Sequence, residues 1–133
     1  MLARLPHGRL PADAVLVGWE NQGRIMACVA YDNFNGASIC MHVVGEGKRW
    51  LTREYLRFCF AYPFEQLKVK KVLGLVPSTN ADAIKFDEHL GFIREHVITE
   101  AVPGGDLIVY SMTREQCRYL EMFNGNRQIR SAA

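Results

Sequence analysis

The 133-residue chain is poor in the patterns that would narrow its chemistry at once. Its four cysteines (Cys28, Cys40, Cys59 and Cys117) lie far apart with no C-x-x-C pair, so neither a zinc ribbon nor a dithiol redox motif is indicated. Three of them fall inside apolar runs, and together they read as reduced, mostly buried thiols. The histidines His7, His42, His89 and His96 have no metal-ligand spacing, and no metal is expected. No apolar run approaches the roughly 18 residues of a membrane span. The opening MLARLPHGRLPADAVLVG breaks its apolar content with proline and charge, unlike a secretory leader. A formal net charge of +2 is too small to argue for nucleic-acid binding by the field of the whole molecule. These absences predict a soluble cytoplasmic protein without a membrane partner.

What is present is ordinary for a folded domain: 49% hydrophobic and 23% charged residues, with no repeat or low-complexity stretch. A chain of this length is expected to form one domain, since domains commonly run to about 100–200 residues. Residues 1–13, with Pro6, Gly8 and Pro11, read as an irregular lead-in. Residues 14–123 read as the domain, and residues 124–133 as a polar tail.

The front of the domain reads as a β-meander over 14–20, 25–34 and 37–44. Asn35-Gly36 predicts a type I′ hairpin turn between the last two strands. After Gly47 the period changes. Leu56, Cys59, Phe60, Phe64 and Leu67 recur at helical spacing, with Thr52 as N-cap and Pro63 set to kink or end the helix. The apolar run 70–77 predicts a central strand covered on both faces, parallel to 37–44 because a helix joins them. A second helix is expected from about Asn80 to Leu90, stopped by Gly91 in a positive-φ conformation. Strands 92–100 and 106–112 follow, and Thr113-Arg114-Glu115-Gln116 matches a capping box opening a last helix to Phe123. The predicted order is βββ-α-β-α-ββ-α, a mixed α/β (α+β) sheet with one parallel crossover.

In that arrangement the strands ending at Val44 and Val76 point their C-terminal ends the same way, where ligands of α/β sheets usually sit. Each runs into a helix N-terminus, whose unpaired amides and positive dipole end favour anions. Lys48, Arg49, Arg53 and Arg57 surround the first of these. Such a crevice suits an elongated anion such as a diphosphate. Taken alone, Gly45-Glu46-Gly47 reads more readily as a simple turn followed by solvated cations, because a short glycine pattern often matches by chance.

Residues 60–95 add a resemblance. The aromatic helix end Tyr62, Phe64 and Leu67, the strand Val72 to Val76, then Asn80, Ala83, Ile84 and Phe86 and the Leu90-Gly91-Phe92 ending resemble the GNAT superfamily of N-acetyltransferases. The likeness is greatest to the branch that includes the ribosomal-protein N-terminal acetyltransferases. It covers roughly residues 14–112 and implies an acyl-CoA N-acyltransferase fold lacking the usual first strand and two helices. The resemblance implies two central parallel strands that splay apart, with acetyl-CoA as co-substrate in the gap. Its pantetheine chain would meet the backbone near His42, Val43 and Val44, and its pyrophosphate would lie over Gly45, Gly47, Lys48, Arg49, Trp50, Leu51, Thr52 and Arg53. Asn80 would bond the pantetheine amide, and Lys85 would reach toward the phosphates. The loop departs from the family's pattern, since Lys48 and Trp50 stand where its glycines should be. Asp87 stands where many members carry a proton-donating tyrosine, and an ionised carboxylate donates no proton.

The implied reaction moves an acetyl group from acetyl-CoA directly to a primary amine: a protein N-terminus, a lysine or a small amine. A general base would help, because such an amine is mostly protonated at neutral pH. Glu46, His42 and Glu20 are the candidates, each of which reads as easily as a structural residue. A homodimer is expected to complete the acceptor side. Two other readings stay open: a catalytically inactive GNAT-like binding or assembly module, and a small nucleic-acid-binding domain using the four cations.

Overall fold

The computed structural model describes residues 15–21, 24–45 and 52–120. They form one six-stranded mixed sheet with two helices. Strands β1 (Val15–Asn21), β2 (Arg24–Asp32) and β3 (Ser38–Gly45) make the antiparallel meander expected from the three runs of the front half. Helix α1 (Arg53–Ala61) leads to β4 (Lys71–Pro77), α2 (Ala81–Leu90) follows, and β5 (Ile93–Val102) and β6 (Gly105–Thr113) close the sheet. The spatial order is β1-β2-β3-β4-β6-β5, and β3–β4 is the parallel pair.

The register puts the whole strand contribution to the core on one face. Ala27, Val29, Tyr31, Ile39, Met41, Val72, Val76, Ile108, Tyr110 and Met112 all point to it, against Tyr55, Leu56, Cys59 and Phe60 of α1, Phe64 just beyond it and Leu90 of α2. The helical spacing read from the sequence is thus the packed face of α1. The opposite face buries Ala30 and Cys40 but leaves Leu75, Ile93 and Ile98 between 40% and 49% exposed. The expectation that β4 is covered on both faces is therefore corrected: Val72, Gly74 and Val76 are buried, whereas Leu75 faces outward. Both helices lie on the same side of the sheet, so a continuous apolar run here encodes one covered face.

Pro63 does end α1, and it does so by a change of helix type. The chain continues as a π-helical turn, Tyr62–Gln66, with Leu67 N–H donating to the Tyr62 carbonyl and Val69 N–H to that of Pro63. Proline cannot serve the carbonyl four residues back, and widening the helix re-pairs the groups beyond it.

The turn between β2 and β3 differs from the expected two-residue hairpin. The strands pair only from Asp32 and Cys40, leaving a wider loop with positive φ at Asn33 and Gly36. Asn35 organises it instead, its side-chain oxygen accepting from the amides of Ala37 and Ser38, both at 2.9 Å. An asparagine carboxamide can replace the backbone in this way. At the other end the capping box forms: Thr113 N–H donates to Gln116 Oε1 and Gln116 N–H to Thr113 Oγ1. Residues 118–120 are helical, and the expected continuation to Phe123 lies outside the described residues. All four cysteines are unbridged, with Cys40, Cys59 and Cys117 buried. No helix among the described residues is long and apolar enough to cross a membrane.

Candidate functional site

Strands β3 and β4 pair over only three positions, Ser38↔Lys71, Ile39↔Val72 and Cys40↔Leu73. Beyond them β3 follows β2 up to Gly45, and β4 follows β6 up to Pro77. The two central strands therefore part in the middle of the sheet. The edge of β3 that faces β4 has no ladder partner beyond Cys40 among the described residues. Such backbone groups need a partner or water.

A cleft of about 320 Å³ occupies the gap. Met41, His42 and Val43 line one wall, and Gly74 to Pro77 the other. Asn80, Asp82, Ala83, Phe86 and Asp87 of α2, with Phe92, lie over it. Helix α2 is placed there by its caps. Asn80 Oδ1 accepts from Ala83 N–H at 3.1 Å, and Gly91 ends the helix at φ +109, with its amide on the Glu88 carbonyl. An L side chain rarely adopts that φ, which is why glycine stands there.

Asp87 lies against Gly74 so closely that a Cβ on the glycine would be 3.0 Å from Asp87 Oδ2. Burial pushes the Asp87 carboxyl up to about 7, and the neighbouring Glu88 charge adds to the shift. Glu88 itself is held below the usual carboxylate range by the Tyr110 hydroxyl at 2.7 Å and by Arg94 at 3.1 Å. An ionised Asp87 could not donate a proton, but with its carboxyl at about 7 the protonated form is present near neutral pH. The shift comes from the apolar packing of the cleft, which no local sequence pattern records.

His42 lies at the rim, where its Nε2 is 3.0 Å from Asp32 Oδ1 on β2. Among the other expected site residues, Val43 lines the cleft, and Val44 and Gly45 continue β3 opposite Cys28 and Ala27. Thr52 caps α1, accepting from Tyr55 N–H at 3.2 Å, and Arg53 begins the helix in an exposed position. Asn80 is both cap and cleft residue. Lys85 is exposed on α2 and does not line the cleft. Glu46, Gly47, Lys48, Arg49, Trp50 and Leu51 lie outside the described residues, as does the side chain of Glu20, whose backbone on β1 pairs with Ile25 of β2.

Arg57 departs from its expected place among the ligand-facing cations. It is 7% exposed and bonds both oxygens of Glu65 at 2.9 Å, so it ties α1 to the π-helical turn. Its spacing of eight residues from Glu65 gives no hint of this in a regular helix; the π turn brings them together. Sequence reasoning also missed Asp32, whose pairing with His42 depends on the β2–β3 register. No group of histidine, cysteine and acidic residues suited to a metal occurs among the described residues.

No family model matches the chain, and no curated protein matches it either. Solved structures do. A spermidine N-acetyltransferase SpeG chimera from Vibrio cholerae and hSSAT aligns with a TM-score of 0.68 at 20% identity, over 83% of this chain and 74% of its own. An acetyltransferase of the GNAT family from Bacillus anthracis aligns with a TM-score of 0.61 at 16% identity, over 78% and 68%. A chain described as a probable acetyltransferase aligns at 0.66 and 16% identity, and this protein spans 64% of its length. At these identities the likeness is one of fold: the chain has the mixed α/β fold of GNAT acyltransferases.

Proposed function

We infer that the chain is an N-acetyltransferase that takes its acetyl group from acetyl-CoA and passes it directly to a primary amine. The parting of β3 from β4 after three pairs carries this reading. It opens a slot through the sheet whose β3 wall offers backbone groups, as an amide-bearing pantetheine chain requires, and whose other walls are apolar except for Asn80, Asp82 and Asp87. Met41, Val43, Val76 and Phe86 would hold that chain, with Asn80 on its amides through the side-chain nitrogen that the cap does not use. Bound acetyl-CoA would supply a thioester, whose carbonyl carbon accepts an amine and whose sulfur leaves. Asp87, protonated through burial, would give the sulfur its proton. Lys48, Arg49 and the loop from Gly45 to Thr52 are the proposed phosphate side of the same site.

The acceptor class is an amine. Structural likeness to spermidine acetyltransferases supports a small amine, and the residues of 60–95 that resemble the ribosomal-protein branch support a protein N-terminus or lysine. A second copy covering the sheet face that bears Leu75, Ile93 and Ile98 belongs to the same reading.

The test is thermal unfolding with and without acetyl-CoA, for the wild type and for Lys48→Ala with Arg49→Ala. A ligand at about 100 times its dissociation constant adds roughly 2.7 kcal/mol of stability. A shift that shrinks in the double variant, together with thiol release on adding an amine, bears the reading out. A shift without thiol release for any amine leaves an inactive coenzyme-binding module, and no shift removes both.

A further inference from the structure

His42 and Asp32 form a pair whose position packing alone does not explain. They stand on the sheet face turned away from the helices, with His42 two residues past the last β3–β4 pair, where β3 has lost its neighbour. Their side chains are 23% and 10% exposed, so the carboxylate is nearly shut off from water while the imidazole stays partly open, and His42 lines the cleft. A carboxylate only accepts hydrogen bonds, so Nε2 of His42 donates to Asp32 and Nδ1 is left as the basic atom. A partner that fixes the tautomer and orientation of an imidazole in this way makes it a directed base.

Among the described residues, the other titratable groups around the pair are few. On the same face, Cys28 of β2 and Cys40 of β3 have thiols raised by burial, and Cys40 Sγ lies 4.0 Å from the Asn33 amide. Across the gap β4 presents Leu73 and Leu75. Lys71, further back on that strand, is engaged by Glu95 at 2.8 Å. From α2, Asp82 and Asp87 line the cleft.

Resting on the acetyltransferase reading, we propose that Asp32 positions His42 as the base of the transfer, with Nδ1 accepting the amine's proton. As the amine nitrogen bonds the acetyl carbon and the carbon–sulfur bond breaks, His42 takes one proton from nitrogen and Asp87 returns one to sulfur. The two groups then exchange protons with water, so no other reactant is needed. Acid and base thus come from different elements, Asp87 from α2 and His42 from β3, and the parted strands hold them at one gap. Asp32 is a positioning residue, acting only through His42.

The experiment compares the wild type with Asp32→Asn, Asp32→Glu and His42→Gln. Nitrogen-15 NMR of the free proteins reads the tautomer of His42, acetyl-CoA-dependent thermal shifts read binding, and thiol release with spermidine and an N-terminal peptide reads transfer. The expected wild-type spectrum shows His42 protonated at Nε2, and Asp32→Asn turns this into a mixture of tautomers. Asp32→Asn and His42→Gln lower kcat by about 100-fold with the KM for acetyl-CoA unchanged, and Asp32→Glu recovers part of the loss. A tautomer unmoved by Asp32→Asn, or variants as fast as an active wild type, overturns the dyad alone. A wild type that binds acetyl-CoA and acetylates no amine overturns the acetyltransferase reading, and the base role with it.

Discussion

The Tyr31 hydroxyl donates to the backbone carbonyl of Cys59 at 2.5 Å, which is the carbonyl that Pro63, lacking an N–H, leaves without its helical partner. The two are 28 residues apart, on β2 and α1, and the Tyr31 ring also meets Tyr62 edge-on with centroids 5.0 Å apart. The break in α1 is therefore anchored to the sheet. Burial keeps the phenol protonated and able to donate.

Tyr31→Phe keeps the ring and removes the donor. It is expected to lose about 1–3 kcal/mol, because the Cys59 carbonyl stays buried without a partner. Urea unfolding should show a lower midpoint with an unchanged slope. An unchanged midpoint would mean that the carbonyl finds another donor.

Asp87 makes stability fall with rising pH. Its carboxyl titrates near 3.8 when unfolded and about 7 when folded, so the native state holds a proton that the unfolded chain releases between those values. The contribution is complete below the lower value and lost as pH rises through the upper one. Asp87→Asn should flatten the dependence of Tm on pH across that window and exceed the wild type in stability at pH 8. The same variant should slow acetyl transfer, because an amide cannot protonate the sulfur. Parallel Tm profiles for the two proteins would rule out the buried carboxyl.

Gly74→Ala tests the closeness of Asp87 to β4. The new methyl would sit 3.0 Å from Asp87 Oδ2 and 3.7 Å from Tyr110 Cβ, so the carboxylate end must turn aside. Turnover is expected to fall several-fold, with stability changed by about 1 kcal/mol or less. Steady-state kinetics beside thermal melts separates the two; a loss confined to stability would place Gly74 in packing only.

Arg57 is expected to behave as a structural residue. Arg57→Ala removes a double charge-assisted bond to Glu65 and should cost about 1.5–3 kcal/mol. The salt dependence of acetyl-CoA binding should stay that of the wild type. A reduced dependence would return Arg57 to the phosphate side of the site.

Much of the fold was legible along the chain. The short apolar runs of the meander, the 3.6 period of Leu56, Cys59, Phe60 and Phe64, the Thr52 cap, the Gly91 stop and the Thr113–Gln116 box all rest on interactions within a few residues. The sequence shows those directly. What failed did so where a local pattern had two outcomes. Asn35-Gly36 permits a tight type I′ turn, but the Asn35 carboxamide found the amides of Ala37 and Ser38 and held a wider loop. The run 70–77 permits burial on two faces, but both helices fell on one. The candidate site followed the same division: His42, Val43 and Asn80, singled out along the chain, line the cleft, whereas Asp32 and the closeness of Gly74 to Asp87 could not be read there.

The sequence by itself determined the order of elements, their ends and the face of α1 that packs, because capping, backbone restriction and hydrophobic period act over a few residues. Only the tertiary structure decided which charges are free and which protons are held. It paired Arg57 with Glu65 through a π-helical turn, brought Asp32 to His42 through the β2–β3 register, and set Asp87 against Gly74 in an apolar cleft. Electrostatic character depends on solvent exposure and on neighbours distant in the chain, and those exist only once the sheet has formed.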